Sequence, residues 1–150
     1  PVPGAGATVA AAVAAVPPGE ESVAGEVVGD AGTVGGAGVA FYLDASTQFR
    51  GPGYLEARTD ERGAFEARIS PGRYWIVVRR RSGAQAFGPL ESGDDFGFYP
   101  GNPLEVRRGE RVTVRIPAVR VLKKSGWGEP SALRTRLSGT SITLASARCR

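Results

Sequence analysis

The densest chemistry in this 150-residue chain lies between Glu91 and Asn102. Asp94 and Asp95 stand side by side there, with Glu91 upstream and Asn102 downstream. Carboxylates and amide carbonyls are the hard oxygen donors that Ca²⁺ takes. The spacing matches no EF-hand loop, and Asp and Asn commonly cap their own main chain in turns. Turn capping is therefore the expectation, and no metal site is assigned. Phe96, Phe98 and Tyr99 follow, and with Trp75 they could form an aromatic platform for a sugar or a partner chain. The plainer expectation is a lid folded back over the domain. The binding candidates of the 87–103 loop are thus Asp94, Asp95, Phe96, Phe98, Tyr99 and Asn102.

Other chemistries are thinly supplied. The chain has no His, no Met and one Cys. A Ser-His-Asp triad, a Cys-His pair and a His-ligated metal are therefore excluded, and one Cys cannot close an internal disulfide. Glu56 and Glu66 could in principle act as a glycosidase pair, but both fall at solvent-facing alternations, where surface charge is the simpler account. No enzyme and no cofactor are expected. Arg79-Arg80-Arg81 could meet phosphates, yet aromatic interleaving is poor and strand ends often carry solvated charge. No nucleic-acid partner is expected. Cys149, the penultimate residue, is a candidate for an intermolecular disulfide, with a spectator thiol as the alternative.

The net charge of +4 is unevenly spread. Residues 1–49 carry five acids and no base, whereas 107–150 carry eleven bases against Glu110 and Glu129. Such polarity can steer copies head to tail, or an anionic partner to the rear. No apolar run approaches the ~20 residues of a membrane helix. The chain opens on Pro1, as a processed precursor or a trimmed chain would, and Thr8–Val16 has the composition of a signal core without its basic flank. A mature N-terminal tail is expected.

The elements that must hold these residues are strands. Gly (22) and Pro (11) supply abundant turn material. Residues 1–21 form an Ala/Val/Pro/Gly tail. Read as a strand, Val9, Ala11, Val13 and Ala15 share one face, small enough to fill a groove on another subunit. A flexible linker is the alternative. Alternation then marks strands at Ser22–Val28, Val39–Leu43, Tyr54–Arg58, Phe65–Ile69, Leu104–Val106 and Val112–Ile116. Arg73–Arg81 is apolar on both faces, so a central strand is expected. Thr59–Gly63 and Ser70–Gly72 are turns, Gly83–Pro103 is a long loop, and Val119–Leu122 could extend the last strand. The expected fold is all-β, a single antiparallel β-sandwich of about seven strands over 22–118. A basic extension, 119–150, completes the chain, with Ser141–Ser146 as a further edge-strand candidate.

Four segments carry a resemblance: Gly25–Asp30, Gly38–Leu43, Thr59–Phe65 and Ser70–Trp75. In order and spacing, residues 22–118 resemble the carboxypeptidase regulatory-like domain, a transthyretin-like β-sandwich. The resemblance implies an accessory module of a secreted or surface protein, used in folding support, adhesion or assembly and without catalytic residues. It also agrees with a tight hairpin shaped by Asp60 and Gly63, across which Phe65 and Tyr74 would meet as a core pair. The expectation is a secreted, extracellular or periplasmic structural protein: a homo-oligomer, a polymer such as a filament or surface layer, or a partner of another surface protein, joined by strand donation from the tail. The alternative is a module binding a glycan or a surface protein through the 87–103 loop.

Overall fold

Period-two alternation decides most of the architecture. The computed structural model of the chain describes residues 11–83 and 88–122. Among them there are ten strands and no helix. In order they are β1 (Ala12–Ala15), β2 (Ser22–Gly29), β3 (Gly32–Thr33), β4 (Gly38–Tyr42), β5 (Leu55–Arg58), β6 (Ala64–Arg68), β7 (Gly72–Arg80), β8 (Asp95–Phe98), β9 (Leu104–Val106) and β10 (Glu110–Arg120). In β10, Val112, Val114, Ile116 and Ala118 point inward while Arg111, Thr113, Arg115 and Pro117 face water. β6 does the same with Phe65 and Ala67. Strands of this pattern bury one face and must curl around whatever it covers.

The strands join into one curled, mixed sheet, a half-barrel, with the path β3-β2-β10-β8-β7-β4-β5. β6 shares an edge of β2, β1 an edge of β10, and β9 an edge of β7. An antiparallel sheet was expected, and this is corrected: β10 runs parallel to β2 from Arg111 opposite Ser22 to Pro117 opposite Val28. Alternation within a strand reports its buried face but not the direction of its neighbour, so the sequence pattern is blind to this pairing.

β10 joins the two arms of the curl. One edge holds β2. Its other edge holds β1 over Glu110–Thr113 and β8 over Ala118–Arg120. Pro117, which has no N–H to give, stands where that edge lies between its two partners. The flanking strands approach closely: a Cβ on Gly25 would lie 2.2 Å from the Val114 carbonyl oxygen, and one on Gly97 would lie 2.5 Å from that of Pro117. The inward residues of both arms then form one core, centred on the fully buried Phe41, Ile76, Ile116, Val23 and Val39.

Three expectations about connections are revised. Thr59–Gly63 makes the expected tight turn, with the Gly63 N–H on the Asp60 carbonyl (3.0 Å) and the Asp60 N–H on the Ala64 carbonyl (2.8 Å), but it turns a corner, because β5 pairs with β4 while β6 pairs with β2. Asp60 still shapes it, with Oδ1 accepting the N–H of Arg62 (2.8 Å) and of Ala64 (3.0 Å). Phe65 and Tyr74 therefore meet through Phe41, whose ring packs edge-on at 6.5 Å from the first and 6.3 Å from the second. Gly83–Pro103 is not all loop, since β8 lies within it. β7 is central as expected, between β4 on one edge and β8 and β9 on the other.

Candidate functional site

β7 shows what holds the chain from β8 to β9. Its far edge pairs with β9 over Gly72–Tyr74 and with β8 over Val77–Arg80. The gap between these ladders is closed by Asn102, whose Oδ1 accepts the Ile76 N–H and whose Nδ2 donates to the Ile76 carbonyl, both at 2.9 Å. The Tyr99 N–H also reaches the Ile76 carbonyl oxygen, at 3.2 Å. Asn102 thus acts as a piece of strand, and the peptide bond to Pro103 is cis.

The two aspartates are anchors as well. Asp94 accepts the main-chain N–H of Glu91 (2.8 Å) and of Ser82 (2.8 Å), the Ser82 hydroxyl (3.0 Å) and the Arg81 guanidinium (3.4 Å). The Glu91 and Ser82 main-chain donors, aided by Arg81, hold its carboxyl at about 2 against an ordinary 3.8. Asp95 lies between two guanidiniums, Arg80 Nε at 2.5 Å and Arg120 Nε at 2.8 Å. Burial pushes its carboxyl up, and Arg120 and Arg80 more than reverse this, so it titrates below the usual carboxylate range. Asp94 thus takes the capping role expected of a turn aspartate, whereas Asp95 accepts no main-chain N–H and instead joins two arginines. No metal-binding cluster of His, Cys, Asp or Glu occurs among the described residues.

Alternation along β8 splits the aromatics. Tyr99 is buried in the core, while Phe96 and Phe98 point to the outer face of the sheet. There Phe96 joins Trp75, Val77, Ala40 and Tyr42 in a second apolar cluster, while Phe98 stays more exposed at its border. A connector that the sequence left unassigned, residues 44–53, crosses this face. Its Phe49 ring packs edge-on against Tyr42 at 5.4 Å and tilted against Phe98 at 5.5 Å. Phe49 takes a left-handed φ of 60°, unusual for a bulky residue. Its carbonyl is gripped by Arg79 and lies 3.1 Å from the Tyr42 hydroxyl. Arg79 also donates to that hydroxyl at 3.1 Å and covers the Phe96 ring at 5.9 Å. The arginine triplet is therefore built into the fold at all three positions, not a set of solvated charges.

Beside this cluster lies an arginine-lined cleft of about 1010 Å³. Register explains its shape. One cross-strand row on the outer face reads Arg58, Gly38, Arg79, Phe96, and the next reads Glu56, Ala40, Val77, Phe98. The small residues of β4 leave a trough between taller neighbours on β5 and β7. Phe49, Arg50 and Pro52 line one side of it. From the sequence, Arg79 and Arg81 were weighed as phosphate contacts and Glu56 as half of a glycosidase pair, whereas Gly38, Phe49, Arg50, Pro52 and Arg58 were not singled out. The signal available was Gly38 and Ala40 at period two beside a Phe-Arg-Gly-Pro-Gly turn.

The tail residues sit at the opposite end of β10. β1 pairs antiparallel with it, Ala12 opposite Thr113 and Ala15 opposite Glu110. Val13 falls opposite the buried Val112, so the Ala11/Val13/Ala15 face is the one turned toward the core, as expected for a strand. Only Ala11 packs there, however. Val13 is 56% exposed, and all four residues of β1 are exposed. The connector to β2 is tied down by Glu21, buried, whose carboxylate accepts the N–H of Gly19 (3.0 Å) and of Gly109 (2.8 Å). Those main-chain donors hold its carboxyl below the usual range. Val9 and Cys149 lie outside the described residues, as does Ser141–Ser146.

Comparison with protein-family models, with curated proteins and with solved structures finds no match to this chain. No helix among the described residues is long and apolar enough to cross a membrane.

Proposed function

We propose that the chain is a non-catalytic assembly module of an extracytoplasmic surface or filament, joined to its neighbours by exchange of the N-terminal strand. The observation that carries this is β1. It is held on the β10 edge by antiparallel pairing, with every side chain exposed. Main-chain ladder bonds of this kind are the same whether the strand comes from its own chain or from a neighbour. Little buried area distinguishes the two arrangements, so local concentration decides between them. The acidic front and basic rear add direction to such an assembly. The two arms facing one core and the order of the turn motifs support a carboxypeptidase regulatory-like sandwich as the underlying fold.

The test is a mixing experiment. Two forms of the full chain, both with Cys149→Ser, carry Val13→Cys in one and Val112→Cys in the other. These positions are direct partners across the ladder. Exchange predicts disulfide-linked heterodimers on oxidation, and larger species by light scattering that vanish when residues 1–16 are deleted. A chain that stays monomeric at high concentration and forms no heterodimer would overturn the reading.

A further inference from the structure

We infer that the cleft on the outer face of β4, β5 and β7 is a binding site for an acidic oligosaccharide, a ligand carrying carboxylates on hydroxyl-rich rings. This inference stands apart from strand exchange and shares no residue with it.

The charges come first. Arg50, Arg58 and Arg79 all line the cleft, and none of them makes an ion pair among the described residues. The other strand arginines near the site are neutralised: Arg80 by Asp95 and Arg81 by Asp94. Arg79 is half-buried, with a hydroxyl, a carbonyl and an aromatic ring as its neighbours but no carboxylate. A guanidinium in such a place has no carboxylate offsetting it and has five N–H donors, of which the protein uses part. Arg58 directs one N–H to the Gly36 carbonyl at 2.8 Å, leaving the rest of its fork open. Planar forks are suited to carboxylates, which they can bind in bidentate fashion.

Shape comes next. Arg58 and Arg79 face each other across Gly38, which has no side chain to fill the space between them. The volume, about 1010 Å³, exceeds what one small anion needs and lies at the upper end of ordinary ligand clefts, about 300–1,000 Å³.

The remaining lining selects among anions. Glu56 sits in the same wall, its Oε2 accepting the Gly53 N–H at 3.0 Å. An acceptor-only group welcomes sugar hydroxyls and repels a closely spaced phosphate backbone. Nucleic-acid grooves also offer open aromatic faces for stacking. Here the Phe96 face is covered by Arg79, and Phe49 is held against Tyr42 and Phe98. The balance of cations, hydroxyl acceptor and small apolar floor favours a carboxylated glycan over a phosphate polymer.

The probe is short oligogalacturonate, measured by calorimetry against the full chain at low salt. Neutral galacto-oligosaccharide, inorganic polyphosphate and single-stranded DNA serve as comparisons. Saturable binding of the uronate is expected, with no binding of the neutral sugar. Arg50→Gln with Arg58→Gln should weaken it about tenfold or more. Arg62→Gln with Arg107→Gln, which removes the same charge elsewhere, should leave it unchanged. Gly38→Val should block the trough; a Cβ there meets only the Arg79 carbonyl oxygen at 3.6 Å, so the strand has room for it. If Gly38→Val fails to fold, the arginine pair alone decides. The inference is overturned by absence of uronate binding, by equal loss in both arginine pairs, or by polyphosphate or DNA binding in the cleft as well as the uronate does.

Discussion

Replacing Asp95 by Asn tests whether the segment after β7 is held by charge. Asp95 opens β8, and β8 lies between β10 and β7 and carries Phe96 and Phe98 to the outer face. Its side chain is 5% exposed and meets Arg80 at 2.5 Å and Arg120 at 2.8 Å. Asn keeps the volume and one acceptor but loses the charge. Removing one partner of a wholly buried ion pair costs about 3–5 kcal/mol, and a hydrogen bond to a charged group contributes about 1.5–3 kcal/mol. The two guanidiniums here are 26% and 52% exposed, so water takes over part of their solvation. The loss is therefore expected near the low end, about 2 kcal/mol. At about 2–4 °C per kcal/mol for a chain of this size, the Tm should fall by about 6 °C. The comparison is Glu66→Gln, which breaks an exposed pair with Arg111 at 3.0 Å, the two side chains being 51% and 45% exposed. That change should cost less than about 0.5 kcal/mol. Urea unfolding followed by circular dichroism reads both. If the two variants lose equal stability, burial of the Asp95 cluster is not what holds β8, and the reasoning fails.

Two further outcomes follow from the same contacts. Because the folded-state pKa of Asp94 is depressed from 3.8 to about 2, the stability it contributes is present above 3.8 and disappears as pH falls toward 2. Urea midpoints should thus be level above about pH 5 and drop steeply between about pH 4 and about pH 2, with a shallower drop in Asp94→Asn; an identical acid limb in that variant would refute the assignment. Gly25→Ala should cost at least about 2 kcal/mol, since its Cβ meets main chain of β10 at 2.2 Å, whereas Gly83→Ala, with nothing within 4 Å, should melt close to the unmodified chain; the Tm values of the two variants check this.

Much of the fold was legible because burial imposes period two. Phe65 and Ala67, and Val112 through Ile116, announce their inward faces in any strand partnership. The doubly apolar run Tyr74–Val78 announces a strand covered on both sides, and β7 has the core on one face and the Tyr42/Phe49 cluster on the other. β8 was hidden for a physical reason. Asp95 and Gly97 occupy its inward positions, one serving two arginines and the other giving way to the Pro117 carbonyl. Neither is apolar, so the alternation that marks a buried strand face is missing. The Thr59–Gly63 turn has hairpin chemistry, yet it turns a corner, because turn residues specify a local bend and not which strands pair afterwards.

The site divides in the same way. Residue types alone excluded His-based chemistry and an internal disulfide, and alternation named the face that Ala11, Val13 and Ala15 share. Local pattern reaches that far because alternation and turn preference are properties of neighbouring residues. Tertiary structure decided the rest. It sent Asp94, Asp95, Tyr99 and Asn102 inward as supports and left Phe96 and Phe98 outside. It also brought Arg58, Gly38 and Arg79 into one row from three strands distant in sequence. Cross-strand register and the parallel pairing of β2 with β10 arise from long-range contacts, and a linear pattern carries no term for them.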